Sequence, residues 1–157
     1  MKNSVYLILH NIRSSENVGS MFRTADSAGV DKIYLTGYTP APKDRFERKN
    51  NAISKSALGA EDYVIWEKED DIVSLIKKLK KEKFSVVAIE QNEKSVDYKE
   101  IKIDKPVVFI VGNEVTGIEK EILLKCDHIA EIPMKGKKES LNVSVALGIA
   151  LFRILNI

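Results

Sequence analysis

Five consecutive apolar residues, Val107 to Val111 (VVFIV), constrain the fold of this 157-residue chain more than any other feature. A strand with one wet face alternates apolar and polar side chains. A run that is apolar on both faces has to be covered on both, as a central strand of a parallel sheet is by helices. The segments around it supply the other layers. Val5 to Leu9, Lys32 to Thr36, Tyr63 to Trp66, Val86 to Ile89 and His128 to Ile132 read as further strands. Ser15 to Ala28 places Val18, Met21, Phe22 and Ala25 on one helical face, and Gly29 stands where a C-terminal cap belongs. Ile53 to Leu58 and Ile118 to Leu124 read as short helices. Asp70 to Lys83 is amphipathic, with aspartates at its start and lysines at its end, as the helix dipole favours. Gly37 to Asn51 carries Pro40, Pro42 and many charges and reads as a loop. Alternating strands and helices predict an α/β fold with a mainly parallel sheet flanked by helices.

The last helix, Val143 to Leu155, is apolar almost all round. Its small residues Ser144, Ala146, Gly148 and Ala150 would let another backbone approach. In a chain this short, a subunit interface is a natural place to bury such a helix. One domain is expected for this length, with no repeats and no linker. Hydrophobic residues at 44% and charged residues at 31% fit a globular protein. No apolar run is long enough to cross a bilayer. The N-terminal stretch lacks a small-residue cleavage site and reads as strand rather than signal peptide. Cys126 is the only cysteine. It excludes an internal disulfide and fits a cytoplasmic protein.

Several chemistries are excluded by their missing fingerprints. There is no P-loop, and no G-x-G-x-x-G follows the first strand. His10 and His128 have no partners at metal-ligand spacing, so no metal is expected. Cys126 reads as a core residue rather than a nucleophile. The net charge of +2 favours no partner by itself. Local clusters do stand out at Lys43, Arg45, Arg48 and Lys49, and at Lys135, Lys137 and Lys138. On charge alone, each reads as a solvated loop.

Three segments carry the informative residues. The first is Asn17-Val-Gly-Ser-Met-Phe-Arg23-Thr-Ala25. The second is Gly112-Asn-Glu114-Val-Thr-Gly117, directly after the VVFIV strand. The third is Ile132-Pro-Met134, a basic loop, and Ser140-Leu-Asn142-Val-Ser144 at the opening of the last helix. Singly, each has a structural reading: a wet helix face, a strand-to-helix turn, a pair of helix caps. Together, their order and spacing resemble the SpoU, or TrmH-like, family of RNA ribose methyltransferases within the SPOUT superfamily. The likeness runs from Leu7 to the final helix.

That resemblance implies a C-terminal deep trefoil knot over about residues 112 to 142, which periodicity would not suggest because chains rarely thread loops. It implies S-adenosyl-L-methionine as cofactor, with S-adenosylhomocysteine as product. The cofactor would be held by groups near Ala88, Gly112, Ile132, Met134, Ser140 and Leu141, with Glu90 facing the same pocket. Arg23 is the residue the family treats as essential. A guanidinium stays protonated, so it makes a poor base. Gripping a phosphate or stabilising charge on the 2′-oxygen suits it better. Glu114 would orient Arg23, and Asn17, Ser140 and Asn142 would position the ribose. The resemblance further implies a homodimer through the last helix, with an active site shared between subunits. Larger relatives carry an N-terminal RNA-binding domain. A single catalytic domain over 1–157 would instead grip structured RNA, tRNA or rRNA, through its two basic clusters. Two other readings stay open: a base-methylating SPOUT enzyme, and an inactive RNA-binding or assembly factor. The Asn17, Arg23 and Asn142 set argues against the first, and the intact Arg23, Glu114, Ser140 and Asn142 argue against the second.

Overall fold

A computed structural model describes residues 2–157. Among the described residues, seven strands and six helices follow one another: β1 (Val5–His10), α1 (Ser15–Ala28), β2 (Lys32–Thr36), α2 (Asn51–Ala57), α3 (Ala60–Tyr63), β3 (Ile65–Glu69), α4 (Ile72–Lys81), β4 (Ser85–Ile89), β5 (Val96–Asp97), β6 (Val107–Val111), α5 (Lys120–Leu123), β7 (His128–Glu131) and α6 (Val143–Ile154). The strands form one sheet in the order β3-β2-β1-β6-β4-β7-β5. Every pairing between them is parallel.

The VVFIV strand, β6, lies at the centre between β1 and β4, and all five of its residues are buried. Alternation divides them between two cores. Val107, Phe109 and Val111 pack with Leu7 and Leu9 of β1 under α1, α2 and α6. Val108 and Ile110 pack with Ile8 and Ala88 under Ile72, Leu75, Ile76 and Leu79 of α4 and Ile122 and Leu123 of α5. Burial on both faces is the physical reason for the unbroken apolar run.

Helix ends follow the capping residues. Ser14 caps α1 by accepting from Asn17 N, and Gly29 closes it in the left-handed conformation. Asp71 caps α4, so that helix begins two residues later than the acidic pair at 70 and 71 suggests. The strand expected over Tyr63 to Trp66 is displaced. Tyr63 ends α3, a one-turn helix that its four residues are too few to announce by periodicity, and β3 begins at Ile65. The two-residue strand β5 and the 3₁₀ turn at Tyr98–Glu100 were not expected either; two paired residues carry no readable alternation. Among the described residues, no helix is long and apolar enough to cross a membrane.

The small residues of α6 are used within the chain. α6 packs on α1. A Cβ on Gly148 would sit 3.6 Å from Thr24 Cγ2 of α1, and Ala150 is fully buried. The close backbone approach expected for this helix is therefore made to α1. What α6 leaves exposed is a separate stripe, Val145 and Ile149 followed by Arg153.

Candidate functional site

The ends of β1, β4, β6 and β7 meet at the carboxyl edge of the sheet, where parallel α/β sheets place their ligand sites. A cleft of about 210 Å³ opens there. Glu90 and Gln91, directly after β4, form one wall. Gly112 to Gly117, directly after β6, form another. Ile132, Met134, Ser140 and Leu141, after β7, form the third. The walls are mixed: Ile89, Ile132, Met134, Leu141 and Val143 are apolar, while Glu90, Gln91, Asn113 and Ser140 are polar.

The glycines explain the turn after β6. A Cβ on Gly112 would lie 2.6 Å from Ile118 Cγ1 and 2.7 Å from the carbonyl carbon and oxygen of Gly117. No side chain fits between these strands of the turn. Gly117 has φ +70, and a Cβ there would collide with the Glu90 carboxylate. Glu90 fills that space. Its Oε2 accepts from Ile118 N at 3.0 Å and its Oε1 from Gln91 N at 2.8 Å, tying the β4 loop to the β6 loop. Asn113 tightens the same turn by accepting from Val115 N and Thr116 N. Its amide donates to Asn11 O and Tyr38 Oη, which joins it to the loops after β1 and β2. Gln91 Nε2 reaches Glu139 O at 2.8 Å, holding the basic loop against the cleft.

A second hollow continues from the first, sharing Asn113, Glu114, Val115, Ser140, Leu141 and Val143, and adding Arg13, Asn17 and Asn142. Four of the five residues expected to do chemistry, Asn17, Glu114, Ser140 and Asn142, thus meet in one place from three distant segments. Asn142 is the N-cap of α6. Its Oδ1 accepts from Ser144 N at 2.9 Å and from Ser144 Oγ at 2.6 Å. Its Nδ2 donates to Asn17 Oδ1 at 3.2 Å. The two ends of the amide do different things: one holds the helix and the other reaches across to α1.

Three placements differ from expectation. Glu114 does not orient Arg23 within the chain. Its carboxylate accepts from Arg13 N at 2.8 Å and Ser14 N at 3.0 Å, and so fixes the entry to α1. Those two amides stand before the first helical turn and need an acceptor there. Arg23 itself is exposed and lines neither hollow. Helix geometry is the reason: six residues beyond Asn17, it lies about 9 Å farther along α1 and about 120° around it. Ala88 also stands apart. It is buried in the core beside Ile8 and Ile110, and Ile89 lines the cleft instead. Arg13, Asn113 and Gln91 were not singled out from the sequence. Asn113 lies within a quoted motif, but Arg13 and Gln91 carry no sequence signal. Among the described residues, no three His, Cys, Asp or Glu side chains gather at metal-binding spacing. Burial pushes the Cys126 thiol up to about 12.

Known proteins share this architecture. The sequence model of the SpoU rRNA Methylase family matches residues 4–152. A tRNA (guanosine(18)-2′-O)-methyltransferase of Aquifex aeolicus is 36% identical over 142 residues, 90% of this chain and 64% of its own. A Staphylococcus saprophyticus protein assigned to the TrmH family of tRNA/rRNA methyltransferases is 31% identical over 98% of this chain and 59% of its own. The crystal structure of an AdoMet-bound rRNA methyltransferase from Sinorhizobium meliloti superposes with a TM-score of 0.89 at 30% identity, over 99% of this chain and 57% of that one. The chain thus spans less than two thirds of the length of each of these relatives.

Proposed function

From its membership of the SpoU methylase family, we propose that this chain methylates a ribose 2′-hydroxyl of tRNA or rRNA, using S-adenosyl-L-methionine as donor. The observation that carries the reading is the Asn142–Asn17 hydrogen bond beside the glycine-walled cleft. It joins the two segments on which such a reaction depends. A cradle that a Cβ at Gly112 or Gly117 would fill, walled by Ile89, Ile132, Met134 and Leu141, fits the flat, mostly apolar face of an adenosine. Glu90, Gly112, Ile132, Met134, Ser140 and Leu141 would hold the cofactor. Bound there, it supplies an electrophilic methyl on a sulfonium.

The protein's part is positioning. The incoming oxygen has to approach in line with the bond that breaks, so fixing the ribose supplies much of the rate. Asn17, Ser140 and Asn142 offer amide and hydroxyl groups for that purpose. Arg23 would hold the neighbouring phosphate or stabilise the oxygen as it loses its proton. Because Arg23 is turned away from its own chain's hollow, a second copy would supply it. We place the dimer contact on Val145 and Ile149 of α6, with Arg23 of each copy serving the other's cleft. The knot over about residues 112 to 142 belongs to the same reading. So do a cytoplasmic setting and a substrate gripped by the basic segments.

The test supplies radiolabelled methyl donor and RNA lacking its natural modifications, then hydrolyses the product in alkali. A 2′-O-methyl group blocks cleavage at its own phosphodiester, so label should appear in alkali-resistant dinucleotides. Label in mononucleotides would indicate base methylation. No label, with S-adenosylhomocysteine still binding by calorimetry, would leave an inactive RNA-binding factor.

A further inference from the structure

The proline-containing stretch between β2 and α2 contains a small closed hairpin. Lys43 and Lys49 pair as an antiparallel bridge. Asp44 N donates to Arg48 O at 3.1 Å and Glu47 N to Asp44 O at 3.0 Å. The Asp44 carboxylate sits inside and accepts from Phe46 N at 2.8 Å, Arg48 N at 3.0 Å and Arg48 Nε at 2.7 Å. Hydrogen bonding from the Arg48 backbone, with the other donors, holds that carboxyl below the usual carboxylate range. The carboxylate therefore keeps its grip at any neutral pH.

Ordering seven residues costs conformational entropy, which folding ordinarily recovers by burial. This hairpin recovers little, because Phe46 at its tip is 62% exposed. The arginine guanidinium carbons lie over the ring, 4.7 Å from its centroid for Arg45 and 5.1 Å for Arg48. That is cation–π range. The segment from 43 to 49 holds four cations against two carboxylates, Asp44 and Glu47. Glu47 reaches Lys43 at 3.6 Å. The hairpin is also anchored on the candidate site. Asn50, which caps α2, donates to Ser15 Oγ at 3.1 Å, and Ser56 Oγ donates to Glu16 O at 2.9 Å. Ser15 and Glu16 belong to the turn of α1 that carries Asn17.

We propose that Phe46, together with the Arg45 and Arg48 guanidiniums that lie over it, forms a stacking platform for an unpaired nucleobase of the RNA substrate, and that Lys43 and Lys49 take its phosphates. This rests on the reading of the protein as an RNA ribose methyltransferase. An aromatic ring and the planar guanidiniums over it present the kinds of surface on which single-stranded bases stack, whatever their identity. Bases inside a duplex have both faces covered and cannot use it. The substrate is then RNA with an exposed base near the target ribose, as in a loop or bulge.

Fluorescence anisotropy tests this with a labelled short single-stranded RNA of mixed sequence, and with the same strand annealed to its complement. Wild type should prefer the single strand. Phe46→Ala should weaken the single strand by roughly tenfold and leave both the duplex and S-adenosylhomocysteine binding unchanged. Phe46→Trp should retain single-strand affinity. In methyl transfer, Phe46→Ala should raise KM for RNA and keep the rate at saturation. Unchanged single-strand binding in Phe46→Ala, equal loss on both probes, or no RNA binding by wild type would each overturn the platform. So would a halved mass by light scattering, which would assign Phe46 to a contact between copies. The function reading fails separately, if wild type transfers no methyl group to ribose.

Discussion

Glu114 lines the hollow and also has a task within its own chain. Its two oxygens serve the amides that precede α1. Glu114→Gln keeps the shape but turns one acceptor into a donor facing an N–H. Urea unfolding should show a loss of about 1–2 kcal/mol, with methyl transfer reduced because Asn17 rides on the same turn. Arg23 is separated from this role by its position on the helix. Arg23→Ala should leave cofactor affinity near wild type and cut single-turnover methyl transfer by roughly a hundredfold or more. Arg23→Lys should restore little, because an ammonium lacks the planar fork. Near-wild-type turnover in Arg23→Ala would make it an ordinary surface residue. Cys126 gives a pH-dependent readout. With its thiol pushed from 9.0 to about 12 by burial, native protein at pH 8 should react with a thiol reagent far more slowly than urea-unfolded protein. The linkage has one sign. Below pH 9 both states keep the proton and nothing is lost; between 9 and 12 the unfolded chain ionises first and stability falls.

Between elements, glycines mark where backbones must touch. Gly19 lies where α1 meets α2, and a Cβ there would collide with Ser56 Oγ and Ile53 O. Gly19→Ala should cost about 1–3 kcal/mol by overpacking, seen in denaturant unfolding. Gly112→Ala would act elsewhere. Its Cβ would press on Ile118 and on the Gly117 carbonyl, and the turn would have to open. S-adenosylhomocysteine affinity should fall by tenfold or more in calorimetry while circular dichroism stays native. Equal affinity would show that the cofactor does not depend on this turn. These two glycines look alike in sequence. Gly19 sits within a helical face and Gly112 after a strand, and only their packing separates a helix-crossing role from a cleft-forming one.

For the whole molecule, the decisive surface is the exposed stripe of α6. Val145 is 48% and Ile149 38% exposed, on a helix whose other faces pack on α1 and the core. Ile149→Glu should turn a dimer into a monomer by light scattering. It should abolish methyl transfer and leave the unfolding transition cooperative. Mixing Ile149→Glu-free inactive chains, one carrying Arg23→Ala and the other Asn142→Ala, should restore part of the activity if each copy lends Arg23 to the other. A monomeric wild type at micromolar concentration would remove the shared site.

Period and composition alone determined the layer plan. VVFIV requires cover on both faces, α1 and β2 fall at the expected residues, and the capping residues Ser14, Gly29 and Asn142 mark helix ends by local chemistry. The three motifs also supplied Asn17, Glu114, Ser140 and Asn142, which the fold brings around one hollow. Tertiary structure decided how they connect. Hydrogen bonds between residues 17 and 142, 90 and 118, and 13 and 114 link segments that no local rule relates. The same holds for Arg23. Its type is written in the sequence, but the side of α1 from which it can reach a cleft depends on which face the core claims. That face is set by the packing of α1 against α2 and α6.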